Sequence, residues 1–163
     1  MKKLRCSFDT NVVSGLAQLH QAIKDGYDFD HAYSYIKSNQ PDYFSYTTDQ
    51  YRRLCKLYKY LGEDTIKPFV SPIVLTELFH KNIPMEVKEQ FTTFLEDYNF
   101  FVINTKDFDF DKLVAKYMER VDDRACFKPK SKNDATIFAH SSFAGCICPG
   151  YSGSFIRCFI CKC

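Results

Sequence analysis

Short apolar runs alternate along this chain with longer stretches whose apolar residues recur at helical spacing. That alternation restricts the fold to an α/β class with a mostly parallel sheet. Residues 3–8, with Leu4, Cys6 and Phe8, form a first strand that leads into Asp9. Val12, Val13, Leu16, Leu19 and Ile23 then mark one face of a helix over 12–24, which ends near Gly26. Residues 30–36 read as a second, short helix, and Pro41 lies in the linker after it. Thr47 followed three residues later by Gln50 has the pattern of a capping box. It opens a helix with Tyr51, Leu54, Leu57, Tyr58 and Leu61 on one face. Ser71-Pro72 is a strong helix start, with serine as cap and proline in the first turn. Another helix runs over 85–97, and Phe100-Phe101-Val102-Ile103 fits a buried strand. Helices over 111–121 and 133–144 follow.

A length of 163 residues and an apolar content of 45% suit one domain with a real core. The net charge of +2 gives no argument from charge alone for a nucleic-acid partner. The basic start is not followed by the apolar stretch of a secretory signal, and no run of about 18 apolar residues could span a membrane. The expected location is cytoplasmic, where the eight cysteines would be thiols or metal ligands rather than disulfides. Five of them, Cys146, Cys148, Cys158, Cys161 and Cys163, crowd the last 18 residues, whereas all 20 acidic residues lie before position 135. Residues 1–145 are therefore read as one domain and 146–163 as an atypical cysteine-rich tail. The tail holds enough thiolates for a tetrahedral zinc site, although its spacing fits no named zinc module. His20, His31, His80 and His140 show no paired metal spacing and are expected at the surface or as caps.

Three carboxylates stand where the chain turns into or along a helix: Asp9, Glu77 and Asp134. Each has a structural explanation. Asp9 and Asp134 suit helix starts, where an acid caps free N–H groups or meets the helix dipole. Glu77 would bend to solvent or pair with Lys81 four residues on. Each also suits a site. Asp9 ends a strand, the place where parallel α/β sheets bind ligands. Glu77 sits at the margin of an apolar arc, where a carboxylate needs a partner or a metal. Asp134 shares a face with Ile137 and Phe138. Acids scattered in sequence but gathered by the fold are what a hard divalent cation such as Mg²⁺ or Mn²⁺ requires. Lys128, Lys130 and Lys132 directly precede Asp134 and read either as a solvated loop or as contacts for RNA phosphates.

Asp9-Thr10-Asn11 after a strand, Ser71 with Glu77 six residues on, and Asp134-Ala135-Thr136-Ile137-Phe138-Ala139 together resemble the PIN-domain family, which includes VapC-like toxin ribonucleases. The resemblance covers roughly residues 3–145, with 27–66 as a helical insertion. It implies a three-layer α/β/α sandwich around a short parallel sheet. It implies Mg²⁺ or Mn²⁺ held by Asp9, Glu77 and Asp134, with Thr10 or Asn11 orienting a ligand or water. The implied activity is endoribonucleolytic cleavage of single-stranded RNA by metal-activated water, as in the toxin of a toxin–antitoxin pair. An antitoxin and a second copy in a homodimer are the protein partners it leaves open. The family continues past the third acid with a strand, a Thr-x-Asp-like segment giving a fourth acid, and a further helix and strand. Here Gly145 is followed by Cys146-Ile147-Cys148-Pro149-Gly150, without an acid. The expectation is an incomplete, frameshifted-looking C-terminal part and impaired activity. Two rivals stay open: a PIN-like RNA- or partner-binding protein without catalysis, and a zinc-binding interaction protein acting through the tail.

Overall fold

The computed structural model describes residues 3–39, 46–104, 136, 137 and 140. The helix over 111–121, the lysine loop, Asp134 and the cysteine-rich tail lie outside the described residues. So do the expectations attached to them, including the zinc site. Within the described part the chain is α/β, with five helices and a three-stranded parallel sheet. Strand β1 is Leu4–Phe8, and helices α1 (Thr10–Lys24), α2 (Phe29–Asn39) and α3 (Thr48–Gly62) follow. Strand β2 is Ile66–Val70; α4 (Pro72–Leu78), α5 (Met85–Asp97) and β3 (Phe101–Val102) complete the set. No described helix is long and apolar enough to cross a membrane.

Two expectations about the sheet need correction. The strand segments 3–8 and 100–103 suggest direct neighbours. They share one parallel sheet, but β2 lies between them, with Leu4 opposite Ile66, Phe8 opposite Val70, and Val70 opposite Val102. The β2 segment, Ile66-Lys67-Pro68-Phe69-Val70, carries a proline that argues against a central strand. It is tolerated because the register with β3 begins only at Phe69, one residue past Pro68. The second correction concerns burial. The paired residues of β3, Phe101 and Val102, are 45% and 55% exposed. The flanking Phe100 and Ile103 make the apolar contacts instead: Phe100 packs on the core and Ile103 is buried.

Helix α1 organises the core. Val12, Val13, Leu16, Ala17, Leu19 and Ala22 are all buried, and α1 packs against α2, α3, α4 and α5. A helix apolar on so many sides belongs inside a domain. Since α1 and α5 pack on each other, the β1-to-β2 and β2-to-β3 connections share one side of the sheet. Cys6 and Phe8 project to the same sheet face, and Phe8 meets Phe100, whose ring meets Phe94 at 5.3 Å. The other sheet face carries Arg5, Ser7, Lys67, Phe69 and Phe101. There the Arg5 guanidinium lies 4.8 Å from the Phe69 ring centroid and the Lys67 ammonium 4.1 Å from that of Phe101.

The region 29–62 is occupied by α2 and α3, both packed on α1. The capping box opens α3 as its sequence requires: Thr47 accepts from Gln50 N–H, and the Gln50 side chain accepts from Thr47 N–H. Two histidines depart from expectation. His20 is buried on α1, where Nδ1 bonds the Tyr58 hydroxyl and Nε2 bonds the Asp97 carboxylate, each at 2.8 Å. It clasps α1 to α3 and α5, and together with Lys24 it holds the Asp97 carboxyl below its usual range. His140 is also buried. His31 and His80 are exposed, as expected.

Gly15 lies in the buried part of α1, and a Cβ there would fall 2.5–2.7 Å from the Tyr46 ring and hydroxyl. Alanine normally favours a helix interior by about 1 kcal/mol over glycine. Here overpacking should outweigh that gain, so Gly15→Ala is expected to destabilise by about 1–3 kcal/mol in urea unfolding. The Gly15→Ala/Tyr46→Ala double variant should not suffer an added loss beyond that of Tyr46→Ala. A stabilised Gly15→Ala protein would contradict this packing.

Candidate functional site

The site begins at the end of β1. Asp9 has extended backbone angles, φ −81° and ψ 169°, and its Oδ1 accepts from Val12 N–H at 2.8 Å. The capping explanation for Asp9 is therefore correct, and it does not compete with a ligand role. A carboxylate has about four lone-pair positions, so one group can cap a helix and still face a cation. The cap also fixes the side chain at the carboxyl end of the strand, where parallel sheets open their ligand crevices.

Thr10 is the first residue of α1, and its Oγ1 donates a hydrogen bond to Glu77 Oε2. This contact spans 67 positions of sequence and places the Glu77 carboxylate against the residue next to Asp9. Thr10, rather than an i+4 lysine, is the partner that accounts for a carboxylate on the margin of an apolar helix face. Val74 and Leu78, on either side of Glu77 in sequence, are buried, whereas Glu77 itself is half-buried. Asn11 is exposed, and its carbonyl accepts from the Tyr46 hydroxyl, which ties the first turn of α1 to the chain entering α3.

Helix α4 places Glu77. Ser71 caps it, with Oγ accepting from Ile73 N–H at 3.2 Å, and Pro72 follows as the first helical residue. Ser71 is fully buried, and its Oγ also lies 2.6 Å from His140 Nδ1. Burial pushes the His140 pKa below its ordinary 6.5. Thr136, Ile137 and His140 fall within the last helix expected from sequence, and Ile137 joins the hydrophobic core.

The structure thus unites Asp9, Thr10 and Glu77. Asp134, Lys128, Lys130 and Lys132 lie outside the described residues. Among the described residues no three His, Cys, Asp or Glu side chains are grouped to hold a metal. What is present is two hard oxygen donors on two segments, Asp9 at the end of β1 and Glu77 hydrogen-bonded to Thr10, the residue next to Asp9. That donor type fits Mg²⁺ or Mn²⁺ and suits soft metals poorly. A separate cleft of about 130 Å³, lined by residues including Gln18, Gln21, Asp25 and Gln90, lies toward the far end of α1 and contains none of the site residues. The Ser71–His140 pair had no sequence signal beyond the serine cap. Comparison with family models, with curated proteins and with solved structures gives no match to this chain.

The depressed pKa of His140 has a definite sign. The fold favours neutral imidazole, so below pH 6.5 the unfolded chain binds the proton more readily than the folded one. Stability carried by this residue is complete above that pH and declines as pH falls from there toward the folded pKa. Urea midpoints measured from pH 7.5 to 5.0 should therefore fall more steeply for the wild-type chain than for His140→Phe. Parallel curves would contradict a buried, neutral His140.

Proposed function

We propose that the chain is a metal-dependent ribonuclease of PIN type acting on single-stranded RNA, with the described sheet and helices forming part of a three-layer α/β/α sandwich. The observation that carries this reading is the Thr10–Glu77 hydrogen bond beside the Asp9 cap. It sets Glu77 against the residue next to Asp9, and these are two of three acids whose order and surroundings resemble that family. In this reading Asp9 and Glu77 hold a Mg²⁺ or Mn²⁺ ion, and Asp134 is its third protein ligand. When bound, the ion polarises a phosphate oxygen and lowers the pKa of a coordinated water.

The chain's own residues prepare that chemistry. The Val12 N–H holds one oxygen of Asp9, so the carboxylate does not swing freely. The Thr10 hydroxyl holds one oxygen of Glu77 in the same way. Held carboxylates lose less entropy when they receive a cation. Backbone dipoles at the start of α1 also favour negative charge at Asp9. No covalent nucleophile is needed. Asn11, exposed beside the pair, is placed to meet water or the RNA backbone.

Thermal unfolding with and without MnCl₂ tests the site. Metal at about 100 times its Kd adds about 2.7 kcal/mol of stability. For a chain of this size that raises Tm by roughly 5–10 °C. Asp9→Asn should lose most of the rise while keeping metal-free stability, because asparagine caps a helix about as well as aspartate. Glu77→Gln should also lose it. A labelled single-stranded RNA should be cleaved with Mg²⁺ and left intact with EDTA. Metal binding without cleavage would identify the binding-only relative of this class, and no metal-dependent shift in the wild-type chain would overturn the site.

A further inference from the structure

Helix α4 has seven residues, and so short a helix is not stable by itself in water. Its position is set by tertiary contacts: the buried Val74 and Leu78 along its length and polar contacts at its two ends. Glu77 lies near the last turn and meets Thr10. The first turn begins at Ser71, which directly follows β2 and is fully buried. The Ser71 hydroxyl has two partners, Ile73 N–H and His140 Nδ1. It accepts from the amide, and it shares one hydrogen with the imidazole, donating to Nδ1 in one ring tautomer and accepting from it in the other. His140 is itself only 6% exposed. A buried hydroxyl and a buried ring, 69 positions apart in sequence, thus satisfy one another at the root of the helix that carries Glu77.

From Ser71 to Glu77 is six residues, or about 9 Å along a helix axis. A shift or tilt at the root is carried nearly undiminished to the carboxylate over so short a rigid element. We propose that His140 is a positioning residue of the Asp9–Glu77 site: by hydrogen-bonding the Ser71 hydroxyl it seats the start of α4 on the end of β2 and so fixes where Glu77 meets Thr10. The consequence for metal rests on the proposed function above, whereas the consequence for the Thr10–Glu77 contact does not.

Two measurements on the full chain separate these. The first is metal-free. His140→Phe and Thr10→Val, alone and together, are compared by urea unfolding in EDTA. If His140 positions Glu77, the double variant loses less than the product of the single losses in folding equilibrium constant, by about threefold or more. Losses that simply multiply would overturn the proposal. His140→Leu also removes this bond while leaving the Ser71 cap, and supplies the same cycle should His140→Phe not fold. The second is Mn²⁺ titration followed by calorimetry. His140→Phe should weaken binding about tenfold, as loss of a supporting partner does in metal sites. His140→Asn, whose amide can accept from or donate to the Ser71 hydroxyl in place of Nδ1, should restore most of it. Unchanged affinity in His140→Phe, or no rescue by a folded His140→Asn, would overturn the positioning role. A wild-type chain that does not bind Mn²⁺ would overturn the metal reading, and the metal-free cycle alone would then decide the role of His140.

Discussion

Helix α1 is buried along most of its length, between a parallel sheet and four other helices. A helix held this way has little freedom to slide or rotate, because dense packing resists even small volume changes. Its first turn therefore becomes a fixed reference point, and that turn contains Asp9 and Thr10. Three polar contacts of the described residues start from there. Asp9 caps the turn, Thr10 reaches Glu77, and the Asn11 carbonyl takes the Tyr46 hydroxyl. At the other end of α1, the His20 clasp to Tyr58 and Asp97 secures the helix against α3 and α5.

Local chemistry was the legible part of the sequence. Thr47 with Gln50, and Ser71 with Pro72, mark helix starts through hydrogen bonds made within four residues, so the pattern and the structure agree closely. The apolar face of α1 was legible for the same reason. What sequence hid depends on distant partners. Strand β2 contains Lys67 and Pro68, which weaken any strand pattern, and its place is secured by pairing with β1 over its full length. His20 follows Leu16 and Leu19 on the helix and could have been placed inside from that spacing. Its polar nitrogens, however, need Tyr58 and Asp97, which only the fold supplies.

The candidate site divides in the same way. That Asp9 ends a strand and opens a helix could be read directly. That Thr10 bonds Glu77 could not be read from spacing, because the contact spans 67 positions that include α1, α2, α3 and β2. Ser71 was legible as a cap and not as one half of a buried pair with His140. Caps and supports overlap here: Asp9 and Ser71 each begin a helix as its cap, and Ser71 also bonds the buried His140. Economy of this kind makes the usual choice between a structural and a functional role misleading. A group that stabilises its helix by about 1 kcal/mol as a cap is also fixed in orientation, which is what a ligand-binding carboxylate needs.

The central claim is that the ends of β1 and α4 form one cation site. Paramagnetic Mn²⁺ broadens amide resonances with a very steep dependence on distance, so it reports location as well as binding. Titrated into the ¹⁵N-labelled chain, Mn²⁺ should selectively and saturably broaden the amides of residues 9–12 and 74–78, and Mg²⁺ should reverse the effect. Broadening centred instead on the exposed acids Asp28 and Asp30, or spread without selectivity over the surface, would contradict the claim.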